Sequence, residues 1–156
     1  MNTIEQILKK ELKLSDDMCS RFLELVETKH LKKKELFVQQ GKVCYSLGII
    51  ESGVLRSYIE KDAVEFIKDF YFPGSIVVSY GSFLTGEPSI GSIQALEETY
   101  LITLSRSSYG QLLQESSEWF KSGKYISDSL LIKKCRRETS FLMDNAFERY
   151  KLLLKT

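Results

Sequence analysis

The side chains best able to do chemistry are sparse in this chain of 156 residues. His30 is the single histidine, which removes the usual material for a zinc or non-haem iron site and for a general base near neutral pH. Cys19, Cys44 and Cys135 are odd in number, far apart and without metal-ligand spacing. They argue against a disulfide framework and fit a reducing compartment. Ser79 sits in a run of hydroxyl and aromatic residues but has no histidine in the motif to activate it as a nucleophile. Lys32-Lys33-Lys34, and Lys133-Lys134 with Arg136-Arg137, carry enough charge for phosphate contacts. Each is bordered by acidic residues or an apolar stripe, and both read as solvated faces. The chain is therefore expected to bind rather than react, with no metal site and no catalytic residue.

Composition narrows the partners further. Twenty-two basic residues against twenty-one acidic ones leave a net charge of +1, so no whole-chain field draws the protein to nucleic acid or to an anionic membrane. With 43% hydrophobic and 28% charged residues, the chain has the make-up of a folded globular domain. The longest uncharged stretch, 70–86, is interrupted by Pro73 and three glycines and is no membrane span. The N-terminus shows no signal-peptide pattern. A cytoplasmic location is expected.

The elements that must position these residues fall into three textures. Ile4, Ile7, Leu8 and Leu12 recur at helical spacing over 4–14. Ser15, followed by Asp16 and Asp17, caps a second helix expected to run to about Lys29, with Met18, Phe22, Leu25 and Val26 on its buried face. From Leu36 to Leu104 the segments become short, β-branched or aromatic. Strands are expected at 36–39, 47–51, 54–60, 64–72 and 91–104, with turns at Gly41-Lys42, Ser52-Gly53, Lys61-Asp62, Pro73-Gly74 and Gly86-Glu87-Pro88. Helical texture then returns, first behind a Ser105 cap and then over 117–144, about 40 Å long at 1.5 Å per residue. That length exceeds what the core needs, and Ile126, Leu130, Leu131, Cys135 and Leu142 form a stripe suited to a partner helix. Asn145, three residues before Glu148, makes a capping box, so a break at Asp144 and Asn145 and a new helix are expected. That helix stops at Thr156 with apolar residues still following one another, which reads as a chain cut short.

This order of elements resembles the CRP/FNR family of bacterial transcription regulators. Three stretches carry the resemblance: Ile49-Ile50-Glu51-Ser52-Gly53-Val54-Leu55-Arg56-Ser57-Tyr58, like the family's central hairpin; Phe70-Tyr71-Phe72-Pro73-Gly74 through Phe83, like its strand, turn and phosphate-binding cassette; and Glu148-Arg149-Tyr150 with Leu152-Leu153, like the helix after its hinge. Ser79-Tyr80-Gly81-Ser82-Phe83-Leu84 with Pro88-Ser89 is most similar to members from the Bacteroidetes. The resemblance implies an α+β fold: an antiparallel β-roll of double-stranded β-helix or jelly-roll kind, N-terminal helices and a long C-terminal dimerisation helix. It implies an effector domain over 1–115, a dimer helix over 116–144, and the hinge and first helix of a missing DNA-binding domain over 145–156.

In relatives that bind cyclic nucleotides, a Gly-Glu pair opens the cassette and Arg-Ser/Thr closes it; the glutamate holds the ribose hydroxyl and the arginine the cyclic phosphate. By position these fall on Val78-Ser79 and Ser89-Ile90, so every key group is altered. What the resemblance leaves is a neutral, hydroxyl-rich wall of Ser79, Tyr80, Gly81, Ser82, Phe83, Ser89 and Ser92, with Lys134 on the long helix as a conditional addition. It suits an uncharged small-molecule effector. No cofactor is expected, and cyclic nucleotide is the disfavoured alternative. Iron-sulfur and haem sensing lack their ligand patterns.

The expected function is the effector-sensing and dimerising module of a regulator. It would pair as a homodimer through the long helix and reach DNA only through a helix-turn-helix outside this chain. The alternatives are a stand-alone ligand-binding roll, a ligand-free scaffold, and more remotely a cupin-like enzyme, whose metal would call for two or three histidines.

Overall fold

In a computed structural model the backbone is described for residues 3–10 and 12–155, and side chains for 4–10, 12–139 and Met143. The chain divides into two compact units, Met1–Glu115 and Ser116–Thr156.

The first unit begins with α1 (Thr3–Lys10) and α2 (Asp16–Leu25). Ile4 and Leu8 of α1 are fully buried, as their four-residue spacing requires. Ser15 caps α2 as expected, its hydroxyl accepting from Met18 N at 3.3 Å. The second helix ends four residues early, however, because 27–31 form a strand. Eight strands follow: β1 (Glu27–Leu31), β2 (Leu36–Val38), β3 (Ser46–Ser52), β4 (Leu55–Lys61), β5 (Val64–Tyr71), β6 (Ile76–Val77), β7 (Ser92–Ala95) and β8 (Thr99–Ser105). Two short helices, α3 (Tyr80–Thr85) and α4 (Arg106–Glu115), flank β7 and β8.

The strands make two four-stranded sheets, β1-β8-β3-β6 and β2-β7-β4-β5, and every pairing is antiparallel. This is the expected α+β roll. Alternate residues of both sheets fill it, among them Leu31, Ile49, Leu55, Val77, Ile93 and Leu101, each 3% exposed or less. The expected single strand over 91–104 is two strands in different sheets: the chain turns at the exposed Leu96, Glu97 and Glu98. Four of the expected turns hold a glycine at positive φ: Gly41, Gly53, Gly74 and Gly86. Only a residue without a side chain adopts such angles at low cost. Ser105 caps α4 as expected, accepting from Ser108 N at 3.0 Å, and Arg21 of α2 clasps Glu115 at its far end with two further hydrogen bonds of 3.1 Å.

The second unit is α5 (Ser117–Lys155), an unbroken helix of 39 residues. Here one expectation is corrected. The backbone stays helical through 144 and 145, so the capping box does not open a new helix and no hinge interrupts the backbone there. The physical reason is the absence of any glycine or proline after Gly123. An aspartate and an asparagine inside a helix cost only a fraction of a kcal/mol each, about 0.7 at most, too little to stop propagation. No helix among the described residues is long and apolar enough to cross a membrane.

Candidate functional site

The stretch from β6 to β7 is irregular, and its polar groups are satisfied by serines. The six-residue α3 is held at its end by Gly86 in the left-handed conformation, whose N–H donates to Ser82 O at 2.8 Å. Ser82, 5% exposed, accepts from Cys44 N at 2.8 Å and donates to Glu87 O at 2.5 Å. Beside it, Ser89 N donates to Lys42 O and Gly41 N to Ser89 O, while Val43 bridges Pro88. Gln40 N donates to the Ser92 hydroxyl at 2.8 Å. The loop 86–92 is thus laced to the loop between β2 and β3.

Ser79 and Ser89, onto which the resemblance carries the glutamate and arginine, meet directly. Their hydroxyl oxygens lie 2.7 Å apart, and the Ser89 hydroxyl is also 2.6 Å from Gly91 O. A hydroxyl has one proton. Ser89 gives its proton to the carbonyl, so Ser79 is the donor between the two serines. Gly91 itself has no alternative residue, since a Cβ there would stand 2.7 Å from Tyr58 O.

The expected wall residues therefore gather in space, but with differing roles. Ser79, Ser82, Ser89 and Ser92 are bound to neighbouring backbone or to one another. Phe83, 1% exposed, is turned into the core, edge-on to Tyr109 with centroids 5.3 Å apart. Tyr80 is half-buried and lies against Tyr109, whose phenol is pushed up to about 12 by burial and by the Tyr80 hydroxyl. Gly81 is exposed with open space around it. Burial likewise raises the Cys44 thiol. Arg56 does not turn to these serines: it bonds Gln94 and Glu65 and lies 4.3 Å above the Tyr58 ring.

On α5, Lys134, Leu131 and Cys135 are exposed, Leu130 is half-buried and Ile126 is buried. The side chains of Leu142, Asp144 and Asn145 lie outside the described residues. His30, expected at a helix end, is on β1, stacked on Tyr100 at 4.3 Å and 2.7 Å from the Glu98 carboxylate. Among the described residues no group of three or more histidines, cysteines and carboxylates can hold a metal ion. Sequence reasoning passed over Tyr45, Arg106 and Tyr109, which border a groove beside α3; the signal was the spacing of Arg106, Gly110 and Leu113 on one face of a capped helix.

The Ser82 hydroxyl serves two buried backbone groups at once. Replacing it with alanine leaves Cys44 N–H and Glu87 C=O without it, and Ser82→Ala is expected to cost about 1–3 kcal/mol in urea unfolding. Ser79→Ala is expected to cost clearly less, since Ser89 still reaches Gly91 O.

Comparison with solved structures finds this fold repeatedly. A cyclic nucleotide-binding domain from Methylobacillus flagellatus kt superposes with a TM-score of 0.75 at 19% identity, over 85% of this chain and 78% of that one. Thermus thermophilus catabolite activator protein gives 0.71 at 19% identity, over 88% and 61%. The sensor domain of the transcriptional regulator DNR from Pseudomonas aeruginosa gives 0.69 at 17% identity, over 85% and 91%. Of the cAMP-bound regulatory structures from Toxoplasma gondii and PfPKA-R, this chain spans 42% and 40%. Comparison with curated proteins by sequence finds no match. The family model described as "Cyclic nucleotide-binding domain" matches residues 28–116, from β1 through α4, which is more than half of the chain and contains both sheets and every serine of the clasp: the chain belongs to the cyclic nucleotide-binding domain family.

Proposed function

We propose that this chain is the effector-sensing and pairing part of a transcription regulator of the CRP/FNR kind, and that its roll does not take up cyclic nucleotides in the ordinary way. One observation carries the second half: the 2.7 Å hydrogen bond between Ser79 and Ser89. A carboxylate and a guanidinium at these positions would hold the ribose and the phosphate. A charge-assisted bond of that kind contributes about 1.5–3 kcal/mol, and each 1.4 kcal/mol is a factor of ten in affinity. With both gone, neutral hydroxyls face a guest that carries a full negative charge.

The regulator role is supported by the likeness to the DNR sensor domain and the catabolite activator, and by α5. Among its exposed residues are Phe120, Leu131, Ile132 and Met143, and a helix about 58 Å long at 1.5 Å per residue gains most from pairing with a second copy. In this reading the protein is cytoplasmic and non-enzymatic, and contact with DNA is made by a helix-turn-helix that these 156 residues do not include. A small uncharged effector would act by binding one of two states better than the other.

Titration calorimetry tests the pocket. Neither cAMP nor cGMP is expected to give measurable heat below millimolar concentration, and micromolar binding of either would overturn the reading of Ser79 and Ser89. Light scattering on the same chain is expected to give the mass of a dimer; a monomer across the whole accessible concentration range would defeat the pairing of α5.

A further inference from the structure

The short helix α3 takes part in a second feature that the serine clasp does not use. Phe83 and Leu84, with Tyr45 and the outer residues of α4, border an open groove of about 710 Å³. That volume is in the range of sites for small molecules. Its walls are largely apolar: Tyr45 is 66% and Leu84 49% exposed, and Tyr109 and Leu113 continue the surface. One ionised group borders it, Arg106, and no carboxylate does so among the described residues.

Two details indicate that the groove is kept open and charged. Gly110 lies within α4, where glycine is a poor helix residue. Its φ is not positive, and a Cβ there would meet nothing within 4 Å. Neither backbone strain nor packing requires a glycine at 110; its lack of a side chain leaves that part of the groove wall bare. The second detail is the setting of Arg106. Its guanidinium donates to Leu84 O at 3.3 Å and lies over Gly86, where a Cβ would come within 3.2 Å of it. It is anchored by a neutral carbonyl, so its charge is not cancelled by an acidic neighbour in the groove.

We propose that this groove is a second binding site, separate from the serine-lined wall, for a small monoanionic ligand with an apolar body: a carboxylate held at Arg106 and an acyl chain or flat ring lying along Leu84, Tyr109 and Leu113 across Gly110. An apolar trough alone would favour the neutral guest, because a carboxylate loses its hydration there; the single cation at its border is what selects the anion. This site goes beyond the regulator reading and does not depend on it.

The test uses the whole 156-residue chain, isotope-labelled, with decanoate as probe and decanol as its uncharged counterpart. Decanoate is expected to bind with saturable amide shifts at Leu84 and across 106–114, at least tenfold more tightly than decanol. Arg106→Gln is expected to erase that tenfold preference while leaving decanol binding unchanged. Gly110→Leu, which keeps or improves the helix and so tests the groove without risking the fold, is expected to abolish both. Equal affinity for the two probes, an unaltered preference in Arg106→Gln, or shifts centred on the exposed apolar residues of β5 would overturn the proposal.

Discussion

Gly53→Val is expected to remove about 3–5 kcal/mol of stability, a large part of the 5–15 kcal/mol that a domain commonly has. Gly53 makes the turn between β3 and β4 at φ +101, where a side chain costs about 1–3 kcal/mol in backbone strain. A Cβ at this position would also stand 2.6 Å from Thr99 Cα and 2.7 Å from Glu98 O, and would press on the Thr99 hydroxyl. Two of these neighbours are backbone at the start of β8, and Thr99 is 0% exposed, so relief requires moving the strand that binds both β1 and β3. Overpacking of that kind adds about 1–3 kcal/mol. Gly41→Ala is the control: its φ is +86 but nothing lies within 4 Å of a Cβ, so it pays the strain alone. Urea unfolding of the two variants separates the terms, and a Gly53→Val protein within 1 kcal/mol of the parent would refute the steric account.

The second large effect is expected at the cassette. Phe83→Ala should cost about 3–5 kcal/mol, the usual range for truncating a fully buried aromatic, since the ring is 1% exposed and sits edge-on to Tyr109. Phe83→Leu keeps most of the volume and should cost less than about 1.5 kcal/mol. The loss has a local consequence as well. Six residues are too few to sustain a helix without tertiary contacts, and Phe83 is the large side chain by which α3 enters the core. Hydrogen exchange at 79–89 is therefore expected to accelerate more than in the sheets. Uniform acceleration over the roll would mean that α3 draws its order from elsewhere.

How far the structure could be read from residues alone depended on whether burial leaves a pattern. β3 and β4 were legible because each has turn residues at its ends and a buried apolar set: Leu47, Ile49 and Ile50 in one, Leu55 and Tyr58 in the other. β5 was legible from its β-branched and aromatic residues although most of it is exposed. β1 was not. It is an edge strand with one buried residue, Leu31, and Glu27 to His30 have nothing to distinguish them from the polar end of a helix. β6, with two residues, is below any periodicity. At the far end the capping box at Asn145 was a true local signal, but α5 continues through it because caps compete with propagation and nothing there stops the helix. As for the candidate site, the residue types at 79 and 89 were readable, whereas their mutual contact was not, because nine intervening residues must fold back before the two hydroxyls meet.

The direction of the hydrogen bonds in that clasp has a consequence for what can settle against it. The proton of Ser79 goes to Ser89, that of Ser89 to Gly91 O and that of Ser82 to Glu87 O. Three hydroxyls that look like donors thus have no proton left to give. A phosphate, which itself has only lone pairs to offer, gains no hydrogen bond from any of the three. Of the three, only the half-buried Ser79 could accept from a molecule bearing N–H or O–H groups, since Ser82 and Ser89 are buried.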